Sequence, residues 1–485
     1  MKKVMGEKGS LRHSAISGGL WVAIGSSSEQ GLRFIRNIIL TRILSPESFG
    51  AMAIILAISS AFESFTEIGI KEGIIQNPKG KEQGYLNGAW WISAGRSIFL
   101  YLAAYIASPF VMEFYNTPNL TGMTRVAFLV VLFNGFMSPN AYVSQKDMKF
   151  KRWILIYHGG SVIGILVSII LSFVLKSTWA LVIGFSLEAF SRMILSYIIA
   201  PFCPNLYFDK DYIRSLLSYS KGMIGLPVMT FIFMRSDVFF VGKICTISEL
   251  GLYTLVASLA RMPFQLVTSM INRIMMPIFS KIQNDTLTVN KYIHNITKNI
   301  FLFMVPGILF VIFYADYLLG VVYGKRYSGA RVAFGIILIT EFLRVSVLPV
   351  VTYYFASGRP HLHRNFTIVR VLIILILIYP ATRLYGITGA ALAGFVATIF
   401  GNMIQINQIH TINQLNLKNY YAIFLNALIP TFVFGGLWFA SRNILNALPR
   451  LDVFSGAIVS IALYIYVVKQ HWAESKSIIF FGNKA

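Results

Sequence analysis

Charged side chains stand inside stretches of this sequence that are otherwise apolar. The clearest is FIFMRSDVFFVGKI, residues 231–244, in which Arg235 and Asp237 lie among aromatic and aliphatic residues. On a helix, residues two positions apart point in directions about 200° apart, so these two cannot pair directly. Because an ionised group in an apolar medium is costly, each needs its own partner or a water-filled cavity.

An earlier stretch concentrates positive charge on one helical face. Glu29, Arg33 and Arg36 follow at i, i+4 and i+7 beside the polar run GSSSEQG, and this spacing places all three on one face. One acid then accompanies two arginines. A surplus of cation facing a cavity suits an anionic ligand, and arginine suits phosphate because its guanidinium donates two parallel hydrogen bonds. With three further cations in apolar stretches, the predicted ligand-binding set is Arg33, Arg36, Arg96, Arg235 and Arg261.

Acids in the apolar stretches fall into two groups. Glu188 with Arg192, and Glu341 with Arg344, have the i, i+4 and i, i+3 spacing of ion pairs within one helix. Such a pair can fix helix packing or act as a gate, and both interpretations stay open. Glu63 and Glu67 are instead two carboxylates at i, i+4 that could share a proton or Na⁺. The ion-coupling or gating candidates are Glu29, Glu63, Glu67 and Asp237.

Motifs of enzymes do not accompany these charges. The seven histidines are scattered, and neither a His/Cys metal spacing nor a GxxxxGK[ST] or GxSxG motif occurs. We therefore predict no enzyme activity, no metal site and no cofactor other than a coupled H⁺ or Na⁺.

The charges are positioned by membrane-spanning helices. Of 485 residues 56% are hydrophobic and only 13% charged, and apolar runs of about 20 residues recur, the length that crosses the hydrocarbon core. We predict an all-α, multi-pass membrane protein with about fourteen spans. They lie near residues 17–44, 46–70, 87–112, 123–144, 153–175, 178–201, 219–243, 249–272, 298–322, 329–356, 365–383, 387–409, 420–440 and 453–470.

The distribution of Lys and Arg predicts the orientation. More than half of the 42 basic residues fall in loops on the side of the N-terminus, which favours two cytoplasmic termini. Residues 323–331, YGKRYSGAR, are an exception because they place three basic residues on the outer side. Membrane topology thus accounts for most of the net charge of +23, and we predict no nucleic-acid partner.

An internal repeat organises the spans. RNIILTRILSPESFGAMAIILA aligns with DVFFVGKICTISELGLYTLVAS at an offset of 201, which pairs Arg36 with Asp237 and Gly50 with Gly251. At an offset of 210, Pro139 pairs with Pro349 and Gly184 with Gly394. Six helices per repeat predict two pseudo-symmetric six-helix lobes, and we expect Asp237 to approach the first span when they close. The predicted boundaries are 1–201 for the N-lobe, 202–221 for a cytoplasmic interfacial helix, 222–412 for the C-lobe and 413–485 for a C-terminal helix pair and tail.

Three segments resemble bacterial polysaccharide exporters of the Wzx flippase type, in the multidrug/oligosaccharidyl-lipid/polysaccharide (MOP) exporter superfamily. They are RILSPESFG at residues 42–50, GIKEGIIQ at 69–76 and KDMKFK at 146–151. The resemblance implies alternating access through a cationic central cavity in a bacterial cytoplasmic (inner) membrane. It also implies a polyprenyl-pyrophosphate-linked oligosaccharide as substrate, membrane lipids as surroundings, and a polysaccharide polymerase and export machinery as candidate partners.

Two alternatives remain. A multidrug antiporter of the same superfamily would export organic cations, but its spans should carry a surplus of acids, and here arginines outnumber acids. A membrane polysaccharide polymerase or ligase would need a long outer loop to hold an acceptor, and the predicted outer segments are short.

Overall fold

The computed structural model describes residues 25–65, 69–205, 212–214, 216 and 226–426, together with residues 436, 458 and 462. Within these ranges the secondary structure is helical, without a strand. Contacts divide the chain into two compact units, Met1–Thr254 and Leu255–Ala485.

The first unit contains ten helices and the start of an eleventh among the described residues. Helix α1 covers residues 25–43. The helices that follow are α2 Pro46–Phe65, α3 Ile70–Gln76, α4 Gln83–Phe114, α5 Thr121–Ala127, α6 Leu129–Gly135, α7 Asn140–Lys146, α8 Phe150–Leu175, α9 Thr178–Ile199, α10 Leu226–Ile244 and α11 Ile247–Ile282.

The second unit begins within α11 and continues through six more helices in the part of the chain that the structure describes. They are α12 Thr286–Phe313, α13 Ala315–Val322, α14 Arg331–Ser346, α15 Leu348–Ala356 and α16 Pro360–Asn413, followed by α17 at residues 417–426. A 3₁₀ segment, Lys325–Ala330, joins α13 to α14.

The helices confirm a multi-pass membrane protein. Seven described helices are long and apolar enough to cross a membrane, or eight when one bent pair counts as a span. Large apolar side chains are exposed on α4 and α8, for example Phe99 at 70% and Val174 at 73%, which fits contact with lipid rather than water. The count of fourteen stays a prediction. Most of the last two spans, residues 420–440 and 453–470, lies outside the described residues, as does most of the predicted interfacial helix at 202–221.

Two predicted spans are broken at the prolines that the repeat aligns. The span expected at 123–144 ends at Gly135, resumes in α7 after Pro139 and bends by 61°. The span expected at 329–356 ends at Ser346 and resumes in α15, where Pro349 occupies the first turn. Proline has no N–H to donate and disfavours a helical residue before it. Repeat-related prolines therefore interrupt the helix at equivalent positions.

The long α16 consists of two helices joined at one glycine. Gly386 has φ 56° and ψ −138°, a conformation that a residue with a side chain rarely adopts. A Cβ on Gly389 would lie 1.8 Å from the carbonyl oxygen of Ala381, so the turn is tight. The spans predicted at 365–383 and 387–409 correspond to its two halves.

Candidate functional site

A partly buried polar cluster joins α1, α8 and α9 in the first unit. The Arg33 guanidinium donates through Nη2 to Glu29 Oε1 at 2.8 Å and to Glu188 Oε1 at 2.6 Å. Glu188, whose side chain is only 7% exposed, also pairs with Arg192. Glu188 therefore connects α9 to α1. The i, i+4 spacing predicts its contact with Arg192 but not its contact with Arg33.

His158 and Ser161 of α8 complete this cluster. His158 Nδ1 lies 2.6 Å from Glu29 Oε2. Ser161 Oγ accepts from Arg192 Nη2 at 2.7 Å and lies 3.0 and 3.1 Å from the acceptors Glu29 Oε1 and Glu188 Oε1. Sequence reasoning missed both residues. The available signal was YHGGS, residues 157–161, which places a polar pair one helical turn apart inside an apolar run.

Glycines allow these side chains to enter the space between α8 and α9. A Cβ on Gly160 would lie 2.3 Å from Arg192 Cγ, and one on Gly164 would lie 2.5 Å from Glu188 Cβ. Real Cβ atoms do not approach other atoms so closely, so both positions require glycine while the helices pack at this distance.

Arg36 lies outside the charge balance of this cluster. Glu29 and Glu188 offset the charges of Arg33 and Arg192. Arg36 donates through Nη2 and Nε to the neutral side-chain oxygen of Asn37, at 3.0 and 3.3 Å. Among the residues described, no carboxylate lies within ion-pair distance of its guanidinium. A half-buried cation of this kind is electrostatically suited to an anionic ligand.

The charges that opened the sequence analysis lie on α10. Asp237 is 7% exposed. Its Oδ2 accepts from the Tyr253 hydroxyl at 2.9 Å and its Oδ1 from the Val238 amide at 2.8 Å. Arg235 is half-buried. The approach of Asp237 to the first span stays a prediction.

The remaining predicted residues of the first unit lie on α2 and α4. Arg96 Nη2 donates to the main-chain oxygen of Glu63 at 3.3 Å, and Glu63 Oε1 accepts from Asn134 Nδ2 at 3.3 Å. Glu67 lies outside the described residues, so the proposed sharing of an ion by Glu63 and Glu67 stays a prediction.

A second cluster in the Leu255–Ala485 unit brings Arg261 and Arg344 to one acid. Glu341 Oε1 accepts from Arg344 Nη1 at 2.7 Å and from Arg261 Nε at 3.3 Å. Near this cluster, the buried Arg370 packs on Gly401, where a Cβ would lie 2.4 Å from its Nε, and bonds with Asn402. At the offset of 210, Arg370 aligns with Gly160 and Asn402 with Arg192. In both repeats an arginine packs on a glycine of the neighbouring helix. In the first repeat Arg192 of the second helix packs on Gly160 of the first, whereas in the second repeat Arg370 of the first helix packs on Gly401 of the second.

Two glycines related by the repeat make a reciprocal contact in the first unit. A Cβ on Gly50 would lie 1.9 Å from the Ile247 carbonyl oxygen, and one on Gly251 would lie 1.9 Å from the Pro46 carbonyl oxygen. At the offset of 201, Pro46 aligns with Ile247 and Gly50 with Gly251, so each glycine receives the first turn of the other helix. We call this contact the glycine latch. Its segments belong to the loops that the charge distribution predicts on the outer side.

The two other signature segments meet at Lys146. Gly69, with φ 58°, precedes α3, and Lys146 Nζ donates to the carbonyl oxygens of Ile74, at 3.1 Å, and Asn77. These carbonyls end α3, where main-chain acceptors lack helical partners and a cation is favoured. Asp147 in turn pairs with Lys81 and Lys149. Lys146 therefore fastens α3 to the end of α7.

Replacing Lys146 with methionine is expected to lower the stability of the first unit. The change leaves two partly buried carbonyls without their charged donor, at a cost of about 1–3 kcal/mol. Thermal unfolding in detergent measures the effect. Lys149→Met is the matched control, because exposed Lys149 makes only a 3.4 Å contact with Asp147, and it should leave the melting temperature unchanged. Equal melting of the two variants would contradict the role of Lys146.

Comparison with known proteins agrees with the three signature segments. The profile of the family described as polysaccharide biosynthesis protein matches residues 39–331. The lipopolysaccharide biosynthesis protein WzxC of Escherichia coli K12 is 19% identical over 399 residues, which are 81% of this chain and 80% of that protein. The teichuronic acid biosynthesis protein TuaB of Bacillus subtilis 168 is 20% identical over 355 residues, 73% of each chain.

Solved structures show the same fold. A structure titled lipid II flippase MurJ, inward closed conformation, superposes with a TM-score of 0.75 at 16% identity, over 94% of this chain and 99% of that one. An inward-facing multidrug resistance MATE family transporter of the MOP superfamily gives 0.57 at 14% identity, over 79% and 96%. The chain therefore belongs to the polysaccharide biosynthesis protein family, and it is similar to a protein named WzxC and to a transporter of the MOP superfamily.

Proposed function

We propose that this protein is a flippase that moves a polyprenyl-pyrophosphate-linked oligosaccharide from the cytoplasmic to the outer leaflet for cell-surface polysaccharide export. The observation that carries the proposal is Arg36, a half-buried cation inside a membrane helix with no acid at ion-pair distance in the described part of the chain. A pyrophosphate would supply the missing negative charge and accept its forked hydrogen bonds. The names of WzxC and TuaB, both polysaccharide biosynthesis proteins, support the same substrate class.

The other predicted cavity residues extend this binding proposal. Arg33, Arg96, Arg235 and Arg261 would line a cationic cavity with Arg36. Arg33 would do so while it balances Glu29 and Glu188, and Arg261 while it contacts Glu341. The ion pairs of Glu188 with Arg192 and of Glu341 with Arg344 would hold the helices that carry the cavity.

Alternating access is the proposed mechanism, in a fourteen-span chain with lobes at 1–201 and 222–412. The glycine latch is suited to be an outer closure, because it brings the main chains of two repeat-related helix starts into close contact. Asp237 would approach the first span in one state of the cycle.

An ion gradient is the proposed source of energy. Glu29, which contacts His158 beside Arg33, is one candidate for the coupled ion, and Glu63 with Glu67 offers a second candidate for H⁺ or Na⁺. We place the protein in the bacterial cytoplasmic (inner) membrane, with both termini cytoplasmic and a polymerase and export machinery as partners.

Leaflet translocation in proteoliposomes tests the proposal. The probe is a fluorescent polyprenyl-pyrophosphate oligosaccharide, and the readout is the fraction that becomes accessible on the opposite face, with and without an imposed H⁺ or Na⁺ gradient. We expect movement above that of protein-free vesicles. Export of a cationic dye without movement of the lipid probe would instead identify a multidrug antiporter and overturn the flippase proposal.

A further inference from the structure

An apolar groove lies between α12, α13 and α14 in the second unit. Its volume is about 450 Å³, within the range of ligand sites. Most of its wall is aliphatic or aromatic. Its lining includes Phe313, Asp316, Arg331, Gly335, Ile336 and Ile339.

One basic residue lines an end of this groove, and two more lie in the segment that precedes it. Arg331 opens α14 and pairs with Asp316. The adjoining 3₁₀ segment exposes Lys325 and Arg326, and neither has an ion-pair partner among the described residues. Buried Tyr323 and Tyr327 hold the segment in place. Three cations against one acid leave this end positively charged.

The position of these cations is unusual for a membrane protein. They belong to the segment 323–331 that departs from the charge distribution of the other outer loops. Lys and Arg are ordinarily concentrated on the cytoplasmic side, so a basic cluster on the outer side needs a local explanation. Proximity to lipid phosphates is one, because each Lys or Arg near an anionic surface gains about 1 kcal/mol.

The groove extends from these cations to the depth of an acyl chain. Arg331 and Ile339 are eight residues apart on α14, which corresponds to about 12 Å along the helix axis. Val332, which lines the groove next to Arg331, is 53% exposed. Beyond the Asp316–Arg331 pair, the lining offers no side-chain hydrogen-bonding group for a saccharide.

We propose that the groove binds one anionic phospholipid of the outer leaflet. The phosphate lies against Lys325 and Arg326, and an acyl chain packs between Phe313, Ile336 and Ile339. This proposal uses the predicted orientation but is independent of the transported substrate.

Photo-crosslinking tests it with full-length protein in nanodiscs. The probes are phosphatidylglycerol and phosphatidylcholine carrying a diazirine in one acyl chain, and mass spectrometry quantifies labelling of residues 331–339. We expect phosphatidylglycerol to label this segment more strongly. Lys325→Gln/Arg326→Gln should lower that labelling by roughly 10-fold or more, since two such charges correspond to about 2 kcal/mol. Lys281→Gln/Lys291→Gln, which alters two exposed lysines away from the groove, is the control.

A second variant tests the groove itself. A Cβ on Gly335 would meet Ile312 at an ordinary 3.9 Å, so Gly335→Leu can fill the groove without displacing the backbone and should abolish the labelling. Gly307→Leu, at an exposed glycine with open space around it, should not. Equal labelling by both phospholipids would overturn the proposal, as would preferential labelling by a diazirine polyprenyl phosphate.

Discussion

Alanine at Gly50, at Gly251 or at both is expected to prevent closure of the glycine latch and to reduce leaflet translocation at least tenfold. The added Cβ would lie 1.9 Å from a main-chain carbonyl oxygen in either variant, and main chain cannot rotate away as a side chain can. Forcing extra atoms into a packed contact costs about 1–3 kcal/mol. That cost applies only to the conformation in which the latch is closed. The substitutions should therefore shift the population toward conformations in which the latch is open, besides lowering stability.

Cysteine accessibility measures this effect. Ile54 packs under the latch against Gly242 and is 2% exposed, so Ile54→Cys in a background with Cys203→Ser and Cys245→Ser should react slowly with a membrane-impermeant maleimide. The alanine variants should react about tenfold faster or more, as a shift of 1.4 kcal/mol implies. Gly95→Ala, at a glycine of α4 with open space around it, is the control. Unchanged labelling and transport in the latch variants would rule out a gating role.

Replacing Arg36 and Arg33 with glutamine should have opposite effects on stability. Arg36→Gln removes a cation that has no acid partner in the described part of the chain, so the folded protein should be as stable as before or more stable. Translocation should fall by about 10- to 100-fold, because charge-assisted hydrogen bonds contribute about 1.5–3 kcal/mol. Arg33→Gln instead removes the cation that Glu29 and Glu188 share and leaves Glu188 with Arg192 alone, so stability should fall by about 1–3 kcal/mol.

Thermal unfolding in detergent and translocation in proteoliposomes, measured on the same preparations, separate the two effects. Arg36→Lys keeps the charge but loses the forked geometry, so it should retain stability and recover part of the activity. A large loss of stability in Arg36→Gln would show that Arg36 has a structural partner. Full activity in a stable Arg36→Gln would remove it from the substrate site.

The sequence could predict features that depend on spacing along the chain. Hydrophobic length predicted the membrane helices, and α8 and α9 begin and end within about three residues of the spans expected at 153–175 and 178–201. Proline chemistry could have predicted the breaks at Pro139 and Pro349. Hydropathy is averaged over a window longer than the break, so each broken helix was predicted as one continuous span. α11 extends to Ile282, ten residues beyond the expected end, for a different reason: Asn272, Arg273 and Lys281 lower the hydropathy of its last turns, so a hydropathy window does not count them as part of the span.

The candidate site depends on contacts between helices, which spacing does not encode. Helical periodicity places Glu29 beside Arg33 but cannot show that Arg33 reaches Glu188 on α9. It also gave no reason to group His158 with Glu29, because their contact depends on the packing of α8 against α1. Likewise, the glycine latch is visible in the sequence only as the aligned pair Gly50 and Gly251. The close approach that requires glycine appears in three dimensions.

The tight turn at Gly386 has a consequence for synthesis of the chain. Arg370 and its partner Asn402 are 32 residues apart, so at 5–20 residues per second the ribosome adds Asn402 about 2–6 s after Arg370. Until then Arg370 can pack on the Phe366 ring of its own helix half but cannot bond with Asn402. Because Gly386 alone forms the turn, the delay between synthesis of Arg370 and of Asn402 is close to the shortest that two consecutive spans allow. The two halves of α16 should therefore leave the translocon together, as a hairpin in which Arg370 already bonds with Asn402.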